Sequence, residues 1–409
     1  MALIVQKYGG TSVRDLERIS NVAKRVAKCR SEGNRVVVVV SAMAGETDRL
    51  IGLGKAIQEI PNEREMDVLV STGEQVSIAL LALTLESMGY PARSYCGWQI
   101  PIVTDRAFGS ARIEEVKKEA LLEELTAGRI VIVAGFQGID RDGRITTLGR
   151  GGSDTSAVAV AAALEADRCE IYTDVDGVYT ADPNIARGAR KLERVAHEEM
   201  LEMASLGAKV LATRAAEFAM RYDVPLMVLS SFNMAGGTLV TKEDKEMEKE
   251  TVTAVTCNTK EAKITLAGVE DRPGVASRLF SALAEANIVV DMIIQNASAQ
   301  GITDISFTIP EADYAKAISI VESVKNSVGA SYVTGTEDIA KVSIVGLGMR
   351  SHSGVAAKMF TALSREGINI EMISTSEIKI SCVINRKYAE LAVRTLHDFF
   401  ELHKAPRDS

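Results

Sequence analysis

Histidine and cysteine are scarce in this chain, four and five among 409 residues. Cys29, Cys96, Cys169, Cys257 and Cys382 show no paired spacing, so a disulfide framework or a Cys/His metal cluster built from sequence neighbours is excluded. They read as buried thiols of a reducing, cytoplasmic setting. Aromatic residues reach only 5% against 46% hydrophobic, the mark of an aliphatic, Ala- and Val-rich α/β protein. An excess of positive charge is also missing. The net charge of -8 argues against nucleic acid as a partner, because duplex binding neutralises phosphates with Lys and Arg. The amino terminus reads as a core strand rather than a signal peptide, and no apolar run approaches the roughly 20 residues of a membrane helix. A chain of this length should form two or three domains, each with its own core.

What is present is glycine in two informative places. The apolar strand Leu3-Ile4-Val5 runs into Lys7-Tyr8-Gly9-Gly10-Thr11-Ser12 and then a helix beginning near Asp15. Adjacent glycines let backbone N–H groups close on an anion, a helix start adds a positive dipole end, and Lys7 adds a full charge. The lysine precedes the glycines, so this is not the Walker pattern, and a plain strand-to-helix turn would read the same way locally. A second stretch, Gly149-Arg150-Gly151-Gly152-Ser153-Asp154-Thr155-Ser156, precedes a small-residue helix from Ala157 to Ala166. Arg150 can grip a carboxylate or phosphate with its planar fork. Asp154 suits an ammonium, either Lys7 or a substrate amine; the alternative is that Ser153 or Asp154 only caps a helix.

Elsewhere in the first 240 residues, strands alternate with helices. Leu16, Ile19, Val22, Ala23 and Val26 share one helical face, and Arg35–Val40 and Ile130–Ala134 are continuous apolar strands of the kind buried on both faces. Helices are expected at Asp48–Glu59, Glu65–Val70, Gln75–Ser87, His197–Leu206 and Lys209–Tyr222, with strands at Glu170–Thr173, Pro225–Leu229 and Thr238–Val240. This order predicts a largely parallel central sheet with helices on both faces and ligands at the carboxyl ends of its strands. Residues 242–250 are almost wholly charged and read as a linker or a short solvated helix. Beyond them Ala262-Lys263-Ile264 through Asp291-Met292-Ile293 returns as Ala340-Lys341-Val342 through Glu371-Met372-Ile373. Each copy should be one βαββαβ unit.

The paired glycine loops, together with Val40-Ser41-Ala42-Met43, Ser71-Thr72-Gly73-Glu74 and the run Thr173–Pro183, resemble the amino acid kinase superfamily over nearly the whole chain, and within it the aspartate kinase family. The resemblance implies a three-layer, carbamate kinase-like α/β domain over residues 1–242, a linker over 243–251, and a regulatory region over 252–409. That region would hold two α+β, ferredoxin-like ACT modules at about 262–335 and 340–405. Lys7, Gly9 and Gly10 would meet the ATP phosphates, and Thr173, Asp174, Tyr179, Asp182, Lys209 and Val210 would surround the nucleotide. Ser41, Thr47, Glu74, Arg150 and Ser153 would hold aspartate, Glu74 at its ammonium and Arg150 at its α-carboxylate, while Asp154 orients Lys7 or the amine. Simpler roles exist for several of them: Thr47 as an N-cap, Glu74 as a helix-opening residue, and Asp174 and Asp182 as turn residues.

Feedback effectors, lysine and threonine, would bind where ACT modules meet, at Asp271, Pro273, Gly274, Val275 and Ala276, at Asp291 and Gln295, and at Asn369, Ile370 and Ser376. The second copy has Ser353 where the family commonly has proline, which predicts a looser turn. The implied reaction uses ATP with Mg²⁺ held mainly by phosphates, singles out no protein metal ligand, and phosphorylates the β-carboxylate of L-aspartate at the head of lysine, threonine and methionine synthesis. That carboxylate is ionised at neutral pH, so no general base is needed. Exposed ACT edges imply a homo-oligomer, and an internal start at Met247 would add a separate regulatory subunit. The rival readings are kinases of glutamate, acetylglutamate or UMP, and a non-catalytic amino-acid sensor.

Overall fold

Five β-branched residues in a row, Val36–Val40, are each at most 1% exposed, so the strand that they form must be covered on both faces. It lies inside the first of two units of the computed structural model, which describes residues 1–208, 210–245, 247–296 and 301–404. The first unit comprises Met1–Tyr179 and Lys191–Met247; the second comprises Thr180–Arg190 and the chain from Glu248 on.

The first unit runs β1 (Leu3–Tyr8), α1 (Leu16–Ser31), β2 (Arg35–Val40), α2 (Glu46–Ile57), α3 (Glu63–Val70), α4 (Thr72–Ser87), β3 (Ala92–Tyr95), β4 (Ile102–Thr104), β5 (Ile113–Val116), α5 (Glu119–Thr126) and β6 (Ile130–Ala134). It continues with β7 (Gln137–Ile139), β8 (Ile145–Thr147), α6 (Gly152–Ala163), β9 (Arg168–Thr173), β10 (Arg194–Ala196), α7 (His197–Ser205), α8 (Thr213–Tyr222), β11 (Leu226–Ser230) and β12 (Thr238–Thr241). Eight strands form one sheet in the order β10-β12-β11-β9-β1-β2-β6-β3. All neighbours are parallel except β11 and β12. β1 sits between β2 and β9, with Tyr8 opposite both Val40 and Tyr172, so the loops after these three strands leave from one edge.

Alternation along β1 divides its side chains between the two faces. Tyr8 stacks on Tyr172 with ring centroids 4.6 Å apart, and both belong to the core that includes Ile19, Val22 and Val26 of α1 and Leu81 and Leu85 of α4. Lys7 therefore faces the other way, toward α6, whose Gly, Ser, Ala and Val side chains are buried along most of its length. Small residues let that helix lie close to the sheet. Asp15 caps α1, its carboxylate accepting the Arg18 N–H at 2.9 Å, as the sequence pattern indicates.

Several expectations need correction. A short 3-10 turn, Gly10–Val13, separates the glycine pair from α1, so the phosphate loop does not open that helix directly. The helix expected from Lys209 starts at Thr213, because the chain leaves α7 through Gly207 at φ 104° and buries Leu211 first. A second sheet of short strands, β5-β4-β7-β8, was not foreseen. Residues 63–87 are long and apolar enough in principle to cross a bilayer, against the expectation of no such run; here they break into α3 and α4 and bury Asp67, Glu74 and Ser77 inside the unit. The charged segment at 242–250 includes a short 3-10 helix, Met247–Lys249, with no buried residue, and is held by surface pairs of Lys242 with Asp223, Asp244 with Arg194, and Glu250 with Arg190.

The second unit contains β13 (Ala254–Asn258), β14 (Glu261–Glu270), α9 (Val275–Glu285), β15 (Ile293–Gln295), β16 (Ile302–Pro310), α10 (Tyr314–Val324) and β17 (Tyr332–Thr336), then β18 (Ile339–Val345), α11 (Val355–Arg365), β19 (Met372–Thr375), β20 (Lys379–Asn385) and α12 (Ala389–Phe399). The first repeat is a βαββαβ module whose sheet has the order β15-β16-β14-β17. The second departs from expectation: its sheet is β13-β18-β20-β19. The strand in the place of β17 is β13, which precedes the first module, and it pairs antiparallel with β18 from Ala254↔Val345 to Asn258↔Lys341. The chain after α12 forms no strand among the described residues, so the sheet is closed by the apolar segment Ala254–Thr256 instead. The turn at Ser353 takes the same backbone conformation as its counterpart: Gly354 (φ 83°, ψ 2°) matches Gly274 (φ 94°, ψ −9°) at the start of the corresponding helix.

Equivalent residues of the repeats meet crosswise. Lys263 of the first module pairs with Glu371 of the second, and Lys341 of the second with Asp291 of the first. Met292, Ile339, Met372 and Val383 share a small core between the modules. Each lysine thus serves the other module's carboxylate, the arrangement of an approximate two-fold axis.

Candidate active site

The carboxyl edge of the main sheet opens into a cavity of about 320 Å³ lined by Lys7, Gly10, Ser41–Gly45, Thr47, Asp48, Glu74, Phe136 and Gly149–Asp154. Of the residues expected to bind phosphate or aspartate, only Gly9 is absent from this lining, and it flanks Gly10. A Cβ on Gly9 would lie 3.3 Å from the Lys7 ammonium, and one on Gly10 would press to 2.9 Å from the Ala42 carbonyl oxygen. These glycines let the turn after β1 pass close to the turn after β2.

Lys7 and Asp154 face each other across the cavity floor, Nζ to Oδ1 2.5 Å, both nearly buried. The approach is close but off hydrogen-bond alignment, so the contact is one of charge. Asp154, Ser153 and Gly152 form the opening turn of α6, where backbone N–H groups lack intrahelical acceptors and favour an anion. The Cβ carbons of Ser153 and of a residue in place of Gly135 would be only 2.8 Å apart. Thr47 lies in the first turn of α2 behind Gly45, which is the N-cap, so Thr47 is not a cap.

Glu74 enters from the first turn of α4 and is 2% exposed. One oxygen accepts the Ala42 N–H at 3.0 Å; Oε2 has no partner among the described residues. Burial pushes its pKa up to about 7, partly offset by the Ala42 N–H. A buried carboxylate with an idle oxygen in a ligand cavity is poised for a cation. The Arg150 guanidinium is exposed and has no partner among the described residues, which leaves its planar fork for an incoming anion.

Phe136 is a lining residue that the sequence reading missed. It follows β6 at φ 68°, a conformation rare for a non-glycine residue. Its N–H donates to Ser156 Oγ at 3.1 Å and its carbonyl accepts the Leu148 N–H at 2.9 Å. The glycines on either side in Ala-Gly-Phe-Gln-Gly were the available signal.

The expected nucleotide residues are less gathered. Thr173 and Asp174 leave β9 beside β1, the Thr173 hydroxyl donating to Asp174 at 3.1 Å, and Ser12 and Ser231 join the neighbouring loops at 2.6 Å. Tyr179 donates its hydroxyl to Asp176 at 2.7 Å, and Asp176 also accepts from Lys191. Val210 lies in the loop ahead of α8 and does not line the cavity; Lys209 lies outside the described residues. Asp182 belongs to the second unit, where it is exposed and its Oδ1 accepts from the N–H and side chain of Asn184.

Among the expected effector residues, Asp271, Pro273, Gly274, Gln295, Asn369 and Ser376 are exposed, and Ala276 and Ile370 half-buried. Val275 is a core residue of its module, so only its backbone could meet a ligand. Asp291 is already held by Lys341. Away from these places, His397, Asp398 and His403 gather within 4.8 Å, a grouping not foreseen from the sequence; His397 is buried, and its Nε2 lies 3.0 Å from the Thr180 hydroxyl.

Comparison with known proteins agrees with the geometry. An aspartokinase of Pseudomonas aeruginosa is 56% identical over 409 residues, spanning 100% of this chain and 99% of that protein. The chain belongs to the aspartokinase family. The Amino acid kinase family profile matches residues 2–230, and the ACT domain profile matches 264–324 and 342–400. An aspartokinase of Thermus thermophilus is 51% identical, covering 99% of this chain and 100% of its own. Among solved structures, E. coli aspartokinase III in complex with aspartate and ADP aligns with a TM-score of 0.83 at 29% identity, over 97% of this chain and 99% of that one. The same enzyme in complex with lysine and aspartate aligns at 0.77.

Proposed function

We infer that the chain transfers the γ-phosphoryl group of ATP to the β-carboxylate of L-aspartate, giving 4-phospho-L-aspartate and ADP. The observation that carries this is the meeting in one cavity of an unpartnered Glu74 oxygen, an unpartnered Arg150 fork and Lys7 beside the glycine turn. Glu74 takes the α-ammonium and Arg150 the α-carboxylate, leaving the β-carboxylate to face the phosphates. An N-acylated acid has no ammonium to offer, and would leave Glu74 buried and unpaired.

The acceptor arrives ionised, so no residue must remove a proton. A β-carboxylate oxygen bonds to the γ-phosphorus as the bond to the β–γ bridging oxygen breaks, and the electron pair leaves with ADP. The protein's work is to align two anions and offset their charge. Lys7 stabilises charge on the transferring group, and Asp154 keeps the ammonium in place. Mg²⁺, when bound, neutralises phosphate charge. With Asp154 given to Lys7 and Asp176 to Lys191 and Tyr179, the metal would be held mainly by phosphates and water, with the exposed Asp174 nearest to hand among the expected nucleotide residues.

The ACT pair makes the kinase a feedback-regulated first step toward lysine, threonine and methionine, with lysine or threonine as effectors. Substrate and effector then weaken each other's binding by the same factor. Exposed edge strands of the modules favour a homo-oligomer, and the five free thiols fit a reducing cytoplasm.

The test is hydroxylamine trapping of the acyl phosphate with Mg²⁺-ATP and aspartate, glutamate or acetylglutamate, with and without lysine and threonine. Hydroxamate from aspartate alone, suppressed by an effector, is the expected result, and product from another acid would overturn the assignment. Lys7→Ala should lower kcat at least a hundredfold, on the order of losing one preorganised charge donor.

A further inference from the structure

Two residues outside the cavity lining grip the backbone that carries Arg150. Asp67, on α3, is 1% exposed and has no ion pair among the described residues. Its carboxylate accepts the Gly109 N–H at 3.0 and 3.1 Å, the Thr147 N–H at 2.9 Å and the Thr147 hydroxyl at 2.6 Å. Arg214, on α8, repeats the pattern one residue further along both segments: Nη1 donates to the Leu148 carbonyl at 2.7 Å and Nη2 to the Ser110 carbonyl at 3.0 Å. A carboxylate thus holds N–H groups at 109 and 147, and a guanidinium holds carbonyls at 110 and 148. Gly149 and Arg150 come next. Gly149 has φ 74°, and a Cβ there would come within 3.0 Å of the Gly109 carbonyl oxygen.

This is an unusual use of charge. Burial raises the pKa of Asp67 even against three hydrogen bonds, so the carboxylate is retained at a cost that an apolar residue would avoid. What that charge secures is backbone position, next to an Arg150 that is itself unpartnered. We propose that Asp67 and Arg214 are positioning residues for the acceptor: together they fix the 147–150 backbone so that the Arg150 fork meets the α-carboxylate, and they act on the amino-acid acceptor rather than on the nucleotide. The proposal rests on the acceptor reading of Arg150 given above.

The experiment is steady-state kinetics of the full-length protein carrying Asp67→Asn, Arg214→Met, Arg150→Ala, and each of the first two combined with the third. Asn puts a donor where N–H groups need an acceptor, so it should raise the KM for aspartate roughly ten- to a hundredfold, the scale of a misplaced binding group, with the KM for ATP within about twofold. Because both residues act through Arg150, neither should raise the KM further in the Arg150→Ala background, a non-additivity that a merely structural role would not produce. Additive effects, or equal rises in both KM values, would overturn the proposal. Should Asp67→Asn fail to fold, Thr147→Val removes a single bond and must shift the aspartate KM alone, in the same direction. If Arg150→Ala leaves that KM unchanged, the acceptor reading fails; if it raises the KM while Asp67→Asn, Arg214→Met and Thr147→Val do not, only the present inference fails.

Discussion

Glu74 carries the sharpest pH signature in the site. Its carboxyl is held near pKa 7 by burial in the unliganded protein, so it is protonated below that value and cannot meet an ammonium ion. Affinity for aspartate should fall as pH drops through about 7. Binding below that pH must expel the proton, which calorimetry in buffers of different ionisation enthalpy would register as proton release. Glu74→Gln should flatten this dependence and raise the aspartate KM roughly tenfold or more, as expected for a lost hydrogen bond to a charged group. Persistence of the pH step in the variant would assign it to another group. At this scale the sequence was a good guide to which residues line the cavity where they sit beside glycines, as Lys7, Glu74, Arg150 and Ser153 do. Asp67, Phe136 and Arg214 escaped because their roles come from contacts across distant segments and from a backbone angle, neither of which leaves a local pattern.

Among the elements, β2 and β6 were legible as unbroken apolar runs because a parallel strand covered on both faces has no polar side to show. The strands of β5-β4-β7-β8 are only three or four residues long, and β5 carries Glu114 and Glu115; such strands take their identity from their partners, not from periodicity. The turn after β1 invites its own test. In Gly10→Ala the new methyl group would meet the Ala42 carbonyl oxygen at 2.9 Å, and neither β1 nor β2 can recede from a sheet paired on both sides. The expected outcome is a loss of about 1–3 kcal/mol in denaturant unfolding, the usual range for overpacking, together with weaker ATP binding. Unchanged ATP affinity would show that the glycine serves packing alone.

Over the whole molecule, the repeat announced two modules but could not say which strand closes which sheet, because β13 precedes the first module, β17 ends it, and neither shows an apolar alternation that would mark its partner. The crosswise ion pairs likewise join positions that the repeat makes equivalent, not neighbours in sequence. Lys341, 2% exposed, lies between Glu261 at 2.6 Å and Asp291. Burial disfavours its charge, yet the two carboxylates outweigh that and raise its pKa. Lys341→Met would strand the buried Glu261 and should cost about 3 kcal/mol, the low end for breaking a buried pair because Asp291 can still reach water. Replacing Glu261 by Leu as well should recover part of that loss, and chemical denaturation of the two variants checks both statements.

The borrowed strand also governs where the chain can be divided. A cut between residues 258 and 261 looks harmless on the repeat alone, yet it would leave β18 with a bare edge and expose a strand that seeks a partner from another molecule. A polypeptide begun at Met247 keeps β13 and with it both sheets, but forfeits Thr180–Arg190, whose Ala181 and Ala186 are part of the second module's core. Gene fusions, shuffled domains and independent expression of the regulatory half must therefore respect a boundary set by topology, and the two modules are inherited together or not at all.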